Sequence, residues 1–226
     1  MPRGIAVRPE QADASRETLL TRCRDLVTAE TEERLVAFVE LLKTWQRTHN
    51  LVSPRTIDEV WERHVGDSLQ LVPIGIEQKS SSWLDIGSGA GFPGLIVAIV
   101  LHDRLERVGL VEANHKKAAF LRQAVRVCGL DNVTVHARRI EALHDEFRGC
   151  FDVVSARALA PLPGLLELAA PFLAENGLVL AMKGKEYVHE EAAASDIWQF
   201  DRILYPSLAE GDGTIAAISH LKRRKA

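Results

Sequence analysis

Cysteine is scarce in this chain: Cys23, Cys128 and Cys150 are odd in number and widely scattered. That spacing excludes a disulfide framework and the paired motifs of a zinc site, and it points to reduced thiols. The eight histidines show no metal-ligand spacing either, so no metal is expected. Long apolar runs are also missing. The longest, Leu95–Leu101, falls far short of the roughly 18 residues that a membrane span requires. No apolar stretch follows the arginines near the N-terminus, so a secretory signal is not expected. Nor is there an excess of one charge, since 28 Lys and Arg stand against 31 Asp and Glu for a net charge of −3. Such a balance gives no general affinity for nucleic acid but leaves room for a local basic patch. The remainder is 46% apolar and 26% charged, ordinary for a globular protein. Its 226 residues suit one domain of about 200 residues with an appendage. The expectation is a cytoplasmic monomer with no membrane and no metal partner.

Against this plain background the stretch SSWLDIGSGAGFPG, residues 81–94, carries the strongest signal. A short apolar run with Trp83, Leu84 and Ile86 contains Asp85, a glycine loop follows, and Phe92-Pro93 opens an apolar helix. Strand, glycine loop and helix in this order form a cradle for a nucleotide cofactor. Two templates fit. GAGFPG matches the dinucleotide fingerprint GxGxxG, and DIGSGAG matches the DxGxGxG loop of S-adenosylmethionine (SAM) enzymes. Glu112, at the end of the next strand, would bond a ribose in either case. Asp85 tips the balance toward SAM. It would repel a pyrophosphate, whereas SAM offers an amino group and a sulfonium for an acid to face.

Taken in order, the chain begins with a polar arm at residues 1–14 and turns helical from Ser15 to about His49, with Leu35, Phe38, Val39, Leu42 and Trp45 on one stripe. After the break at Asn50–Pro54, TIDE at residues 56–59 reads as a capping box that starts a second helix. Residues 1–75 are therefore expected to be an arm and helical appendage, and residues 76–226 the cofactor domain. From Ser82 strands and helices alternate, with strands at 83–86, 107–111, 133–136, 151–155 and 177–182, then two closing strands near 200–205 and 215–221. The pattern predicts an α/β fold, a mostly parallel sheet with helices on both faces.

Further motifs accompany the loop: NLVS at 50–53, RHVGDS at 63–68, EANHKKAAFL at 112–121, RIE at 139–141, ARA at 156–158 and Lys183-Gly184. With these in place, the sequence from about Thr31 to Lys222 resembles the bacterial small-subunit ribosomal RNA methyltransferase G family, also called glucose-inhibited division protein B. The resemblance implies a class I SAM-dependent methyltransferase (Rossmann-like) fold. It also implies methylation of N7 of a guanine in 16S ribosomal RNA, with the small-subunit RNA or its particle as partner. One departure is that GDGT, residues 211–214, lacks an arginine expected near the end of the family pattern. Carried over residue by residue, the resemblance assigns Asp85, Gly87, Gly89, Gly91, Phe92, Glu112, Ile140, Glu141 and Arg157 to the cofactor. Asn50, Arg63, His64 and Lys183 fall to the RNA, and Arg157, His64 and Asp67 are candidates for the reaction itself. Arg157, at the end of the fourth strand, could meet the SAM carboxylate, the RNA or Asp85. Arg63 and Asp67, four residues apart on a helix, could equally form an ordinary ion pair.

Two other absences agree with N7 as the target. The N/D-P-P-Y/F motif common in exocyclic amine methylation is missing after the fourth strand, where SARA stands. The cysteine nucleophile of pyrimidine carbon-5 methylation is missing too, because Cys150 precedes that strand. Guanine N7 carries a lone pair and no proton, so its methylation needs alignment and charge stabilisation, not a general base. The alternatives are an NAD(P)-dependent oxidoreductase, for which GxGxxG would be the working motif, and a non-catalytic RNA-binding or ribosome-assembly protein on the same fold.

Overall fold

The computed structural model describes residues 16–21, 23–207 and 213–225. The N-terminal arm of the sequence reading and the first two residues of GDGT lie outside them. Seven strands make one sheet: β1 (Ser82–Ile86), β2 (Arg107–Val111), β3 (Val133–His136), β4 (Phe151–Arg157), β5 (Leu173–Lys183), β6 (Trp198–Pro206) and β7 (Thr214–Arg223). Their order is β3-β2-β1-β4-β5-β7-β6. β1 to β5 run parallel, β7 is antiparallel to β5, and β6 is antiparallel to β7. The winding reverses between β1 and β4. In an open α/β sheet that switch point leaves a crevice outside the carboxyl ends of the strands, where ligands bind.

A central parallel strand is covered on both faces, and β1 is buried along its whole length. Its alternating side chains divide the core. Trp83 faces a layer that also holds Phe38 and Leu42 of α1 (Ala29–Gln46) and Phe120 of α5 (His115–Val127), to which α3 (Leu71–Glu77) and α4 (Gly94–Val100) contribute as well. Leu84 and Ile86 face the opposite layer, with Leu166, Phe172 and Tyr187 around α6 (Leu162–Ala169) and α7 (Tyr187–Ile197). The helices before β1 thus share one core with the sheet. Phe38 packs edge-on against Phe92 at 5.4 Å, and Trp45 donates its indole N–H to Gln123 of α5 (3.1 Å).

Two local expectations in the appendage need correction. The helix from Ser15 to about His49 is interrupted: residues 16–21 are helical, 23–26 form a turn, and α1 starts after Thr28, whose hydroxyl accepts the Thr31 N–H (3.2 Å). That cap was legible by residue type. Thr56 does not cap a helix. Its hydroxyl donates to the Ser53 carbonyl (3.0 Å) and bonds His64 Nε2 (2.9 Å). The following helix opens as a π turn, Trp61–Gly66, and continues as α2 (Asp67–Leu69). Such wide turns recur at functional sites, because the extra residue redirects side chains.

The start of the sheet is clamped by Asp152 at the foot of β4. One carboxylate oxygen accepts the N–H groups of Ser81 and Ser82 (both 2.9 Å) and the Ser82 hydroxyl (2.8 Å). At the other end, α4 lies against β1 with no room for a side chain at Gly94. A Cβ there would stand 2.4 Å from Asp85 Cβ, an atom that cannot swing away. Gly94→Ala is therefore expected to cost about 1–3 kcal/mol of stability, as overpacking of a filled core does. Gly184→Ala, where nothing stands within 4 Å, should be nearly neutral. Urea unfolding of the two variants checks the difference.

Candidate active site

At the switch point Asp85 of β1 pairs in register with Ser155 of β4. The Ser155 hydroxyl donates to Asp85 Oδ1 (2.6 Å) and accepts the Trp83 indole N–H (2.8 Å). Asp85 is wholly buried, and its Oδ2 has no hydrogen-bond partner among the described residues. Burial pushes its pKa up to about 6, although the hydrogen bond from Ser155 pulls the other way. The sequence reading turned this acid toward a bound cofactor. The structure instead sets it beneath the loop, against the first turn of α4 and shielded from solvent.

Above Asp85 the chain passes through Gly87, Gly89 and Gly91, all at positive φ. A Cβ on Gly91 would press on Leu95 (3.1 Å), and one on Gly87 on Leu159 (2.7 Å). On Gly89 it would approach nothing nearer than the Gly87 carbonyl at 3.8 Å, so Gly89 offers the open side of the cradle. Glu112, from the end of β2, takes the Gly89 N–H on one oxygen (2.9 Å) and the Asn114 N–H on the other (2.7 Å). Asn114 in turn caps α5 through the N–H groups of Lys116 and Lys117. Beyond β3, Ile140 packs at the edge of the second layer and Glu141 is exposed. Phe92 departs from its expected place beside the loop. It is 7% exposed and belongs to the core, stacked on His64 at 4.9 Å and edge-on to Phe38.

Beside the loop lies a cleft of about 880 Å³, lined by the π turn, α2, the chain after β4, the end of β5 and the start of β7. Arg63, His64, Asp67, Arg157 and Lys183 all open onto it, whereas the glycines and Glu112 do not. The structure thus joins five of the predicted residues in one place, Arg157 of the cofactor set among them, and keeps the loop glycines and Glu112 apart from it. Arg157 lies 3.3 Å from Asp67 and donates to the Arg63 carbonyl (2.9 Å), so it does not meet Asp85. Arg63 pairs with Glu59 (2.6 Å), not with Asp67 as an i, i+4 pair would have it. Asp67 also accepts the Ser207 hydroxyl (2.5 Å), which ties α2 to the end of β6. Lys183 pairs with Glu190 (2.6 Å) and donates to the Ala160 carbonyl (2.7 Å). Asn50 is exposed and is not part of the cleft.

Sequence reasoning passed over Glu190, Ser207 and Leu159. Each acts through a partner distant in the chain, and none carries a local motif. Ser155 was within reach, since it follows Asp85 across the sheet once the strand order is known. On α5, Lys116, Arg122 and Arg126 are exposed, and in the basic tail Arg223 is engaged with Glu167 (2.6 Å).

A switch-point crevice, a glycine loop with its open side at Gly89, an acid at the end of β2 and a reversed β7 together define a class I methyltransferase of the SAM-dependent type. Among solved structures, the O-methyltransferase from Bacillus cereus in complex with SAH aligns over 92% of this chain and 99% of its own, with TM-score 0.59 and 16% identity. TomG from Streptomyces achromogenes, in complex with SAM, aligns over 92% and 98% with TM-score 0.59 and 15% identity. The sequence matches rRNA small subunit methyltransferase G over residues 31–214. Ribosomal RNA small subunit methyltransferase G of Rhizobium rhizogenes (strain K84 / ATCC BAA-868) is 44% identical over 201 residues, covering 88% of this chain and 96% of that protein. The protein of that name from Rhodopseudomonas palustris (strain HaA2) is 41% identical over 220 residues, 96% and 90% of the two chains. The chain belongs to the rRNA small subunit methyltransferase G family, and the oxidoreductase alternative falls away.

His64 gives the site its clearest pH dependence. Burial, then the charges of Arg157 and Arg63, lower its pKa from 6.5 to about 4. Between those values the unfolded chain binds the proton and the folded one does not. The stability that His64 allows is complete above pH 6.5 and is lost as pH falls toward 4. Asp85 has the opposite sign, so the comparison is made between parent and variant. His64→Gln should flatten the loss of stability between pH 6.5 and 4, and an NMR titration should find the ring neutral at pH 6. A ring titrating near 6.5 would show that it is solvated and far from both arginines.

Proposed function

We propose that this enzyme transfers a methyl group from SAM to N7 of a guanine in small-subunit ribosomal RNA, as a cytoplasmic monomer without a metal. The observation that carries the choice of N7 is the state of the cleft's side chains. His64 is held neutral and is hydrogen bonded to Thr56. Asp67 is committed to Arg157 and Ser207, and Glu190 to Lys183. Among the described residues no cysteine lines the cleft, and its other lining carboxylate, Glu186, is exposed to solvent. A cleft furnished in this way suits a nucleophile that needs neither deprotonation nor covalent attack by the protein.

The open side of Gly89 and the two-handed carboxylate of Glu112 fit SAM. When bound, SAM supplies an electrophilic methyl group on sulfur. Gly87 and Gly89 would hold its methionine part, Glu112 its ribose hydroxyls, and Ile140 and Glu141 its adenine. The work of the chain is then to orient. Glu112 keeps a fixed direction because two backbone N–H groups hold it, leaving its outer lone pairs for hydroxyl donors. His64 offers a neutral imidazole wall at the mouth of the substrate cleft, braced by Phe92 behind it. Arg157, with Arg63 nearby, would face the RNA.

Glu112→Gln should weaken SAM binding about ten- to hundred-fold, the effect of losing charge-assisted bonds worth roughly 1.5–3 kcal/mol. RNA affinity should stay unchanged. Calorimetry with SAM and filter binding with undermethylated small-subunit RNA separate the two. Transfer from labelled SAM to that RNA, and its loss when guanosine is replaced by 7-deazaguanosine, tests the target atom. Persistent labelling of the 7-deaza RNA would move the methyl group elsewhere on the base.

A further inference from the structure

Between the cofactor loop and the cleft stands the segment that follows β4, residues 158–161. Ala158 holds φ +50, a conformation that side-chain-bearing residues avoid and that persists only where surroundings enforce it. Leu159, the next residue, rests its Cδ1 2.7 Å from where a Cβ on Gly87 would stand, and it also lines the cleft. Ala160 gives its carbonyl to Lys183 Nζ (2.7 Å). Pro161 has no N–H to give. Leu162, the first residue of α6, donates its N–H to Glu190 Oε2 (2.8 Å), the same oxygen that lies 2.6 Å from Lys183 Nζ. The pair is well covered, with side-chain exposures of 8% for Lys183 and 20% for Glu190.

One ion pair therefore grips the segment on both sides of Pro161, through a carbonyl and an N–H that the chain itself leaves without regular partners. We propose that the Lys183–Glu190 pair is a latch that holds Leu159 against Gly87. Leu159 thereby forms the wall that sets the distance between the methyl donor and the base. Glu190 and Lys183 are positioning residues in this assignment, and Lys183 is not an RNA contact. Alignment errors of about an ångström cost up to a hundred-fold in rate, which makes a rigid wall at this place consequential.

The experiment is a double-mutant cycle between Glu190→Gln and Leu159→Ala, read by single-turnover methyl transfer at saturating RNA and by calorimetric SAM affinity. Glu190→Gln alone should slow transfer about ten-fold or more and weaken SAM binding a few-fold, with RNA affinity unaltered. In the Leu159→Ala background it should cost little further, because the wall it positions is gone. Losses that simply add would overturn the latch. So would a Lys183→Gln protein that binds RNA weakly yet transfers at the parental rate once saturated, since Lys183 would then touch the RNA. If Glu190→Gln does not fold, Lys183→Gln enters the same cycle in its place. The rate arm rests on the proposed function, and the SAM arm does not. A parent protein that binds SAM but labels no guanine would end the functional proposal while the SAM affinities still decide the latch.

Discussion

The hydrogen bond from Ser155 to Asp85 is the contact on which the site depends. It joins β1 to β4 where the sheet changes winding direction, directly beneath the glycine loop. A buried carboxylate is costly, and the upward shift of its pKa to about 6 expresses that cost. The fold retains it because its neighbours need it there. Ser155 is oriented by Trp83 from below, and Gly94 brings the first turn of α4 against the acid, where a helix N-terminus favours negative charge. Move Asp85, and the loop loses the floor from which Gly87, Gly89 and Gly91 rise. An acid in a DxGxGxG motif can thus build the cradle from beneath.

The second constraint is the union of the appendage with the domain. Phe92 sits between Phe38 of α1 and His64 of the π turn, so a residue of the cofactor loop buttresses the helices before β1. The same helices deliver Arg63, His64 and Asp67 to the cleft. Cofactor loop and substrate cleft cannot shift independently while these rings remain in contact. The tie from Asp67 to Ser207 extends this rigidity to the far edge of the sheet.

Much of this was legible in the sequence wherever the cause was local. Strands 107–111 and 133–136 stood out by their apolar runs and Asn114 by its place before a helix, and the structure returns all three. The glycine positions followed from type alone. What escaped was non-local. The Thr56 hydroxyl is drawn to His64 across a turn whose π geometry no periodicity reveals. Arg63 and Asp67 have the spacing of an ion pair, but Glu59 and Arg157 are better placed partners. Phe92 looked like a pocket wall because it follows the glycines, and only the position of α1 shows that its ring is enclosed. Glu190 sits in a polar helix with nothing to distinguish it from the acids around it.

The charges at the inner end of the cleft fall in pairs. Each of its inner cations has its own carboxylate: Arg63 with Glu59, Arg157 with Asp67, Lys183 with Glu190. His64, which could have been a fourth, is kept neutral by burial and by two of them. Transfer of a methyl cation to a neutral ring nitrogen creates no new charge. It moves a positive charge from sulfur to the base. An unpaired cation facing the base would oppose that movement. With these inner cations compensated, and with Lys185 and Glu186 exposed to solvent, the inner end of the cleft does not oppose the transfer. That balance is what the proposed reaction asks of the protein, and it is set by acids from three separate places in the chain, Glu59, Asp67 and Glu190.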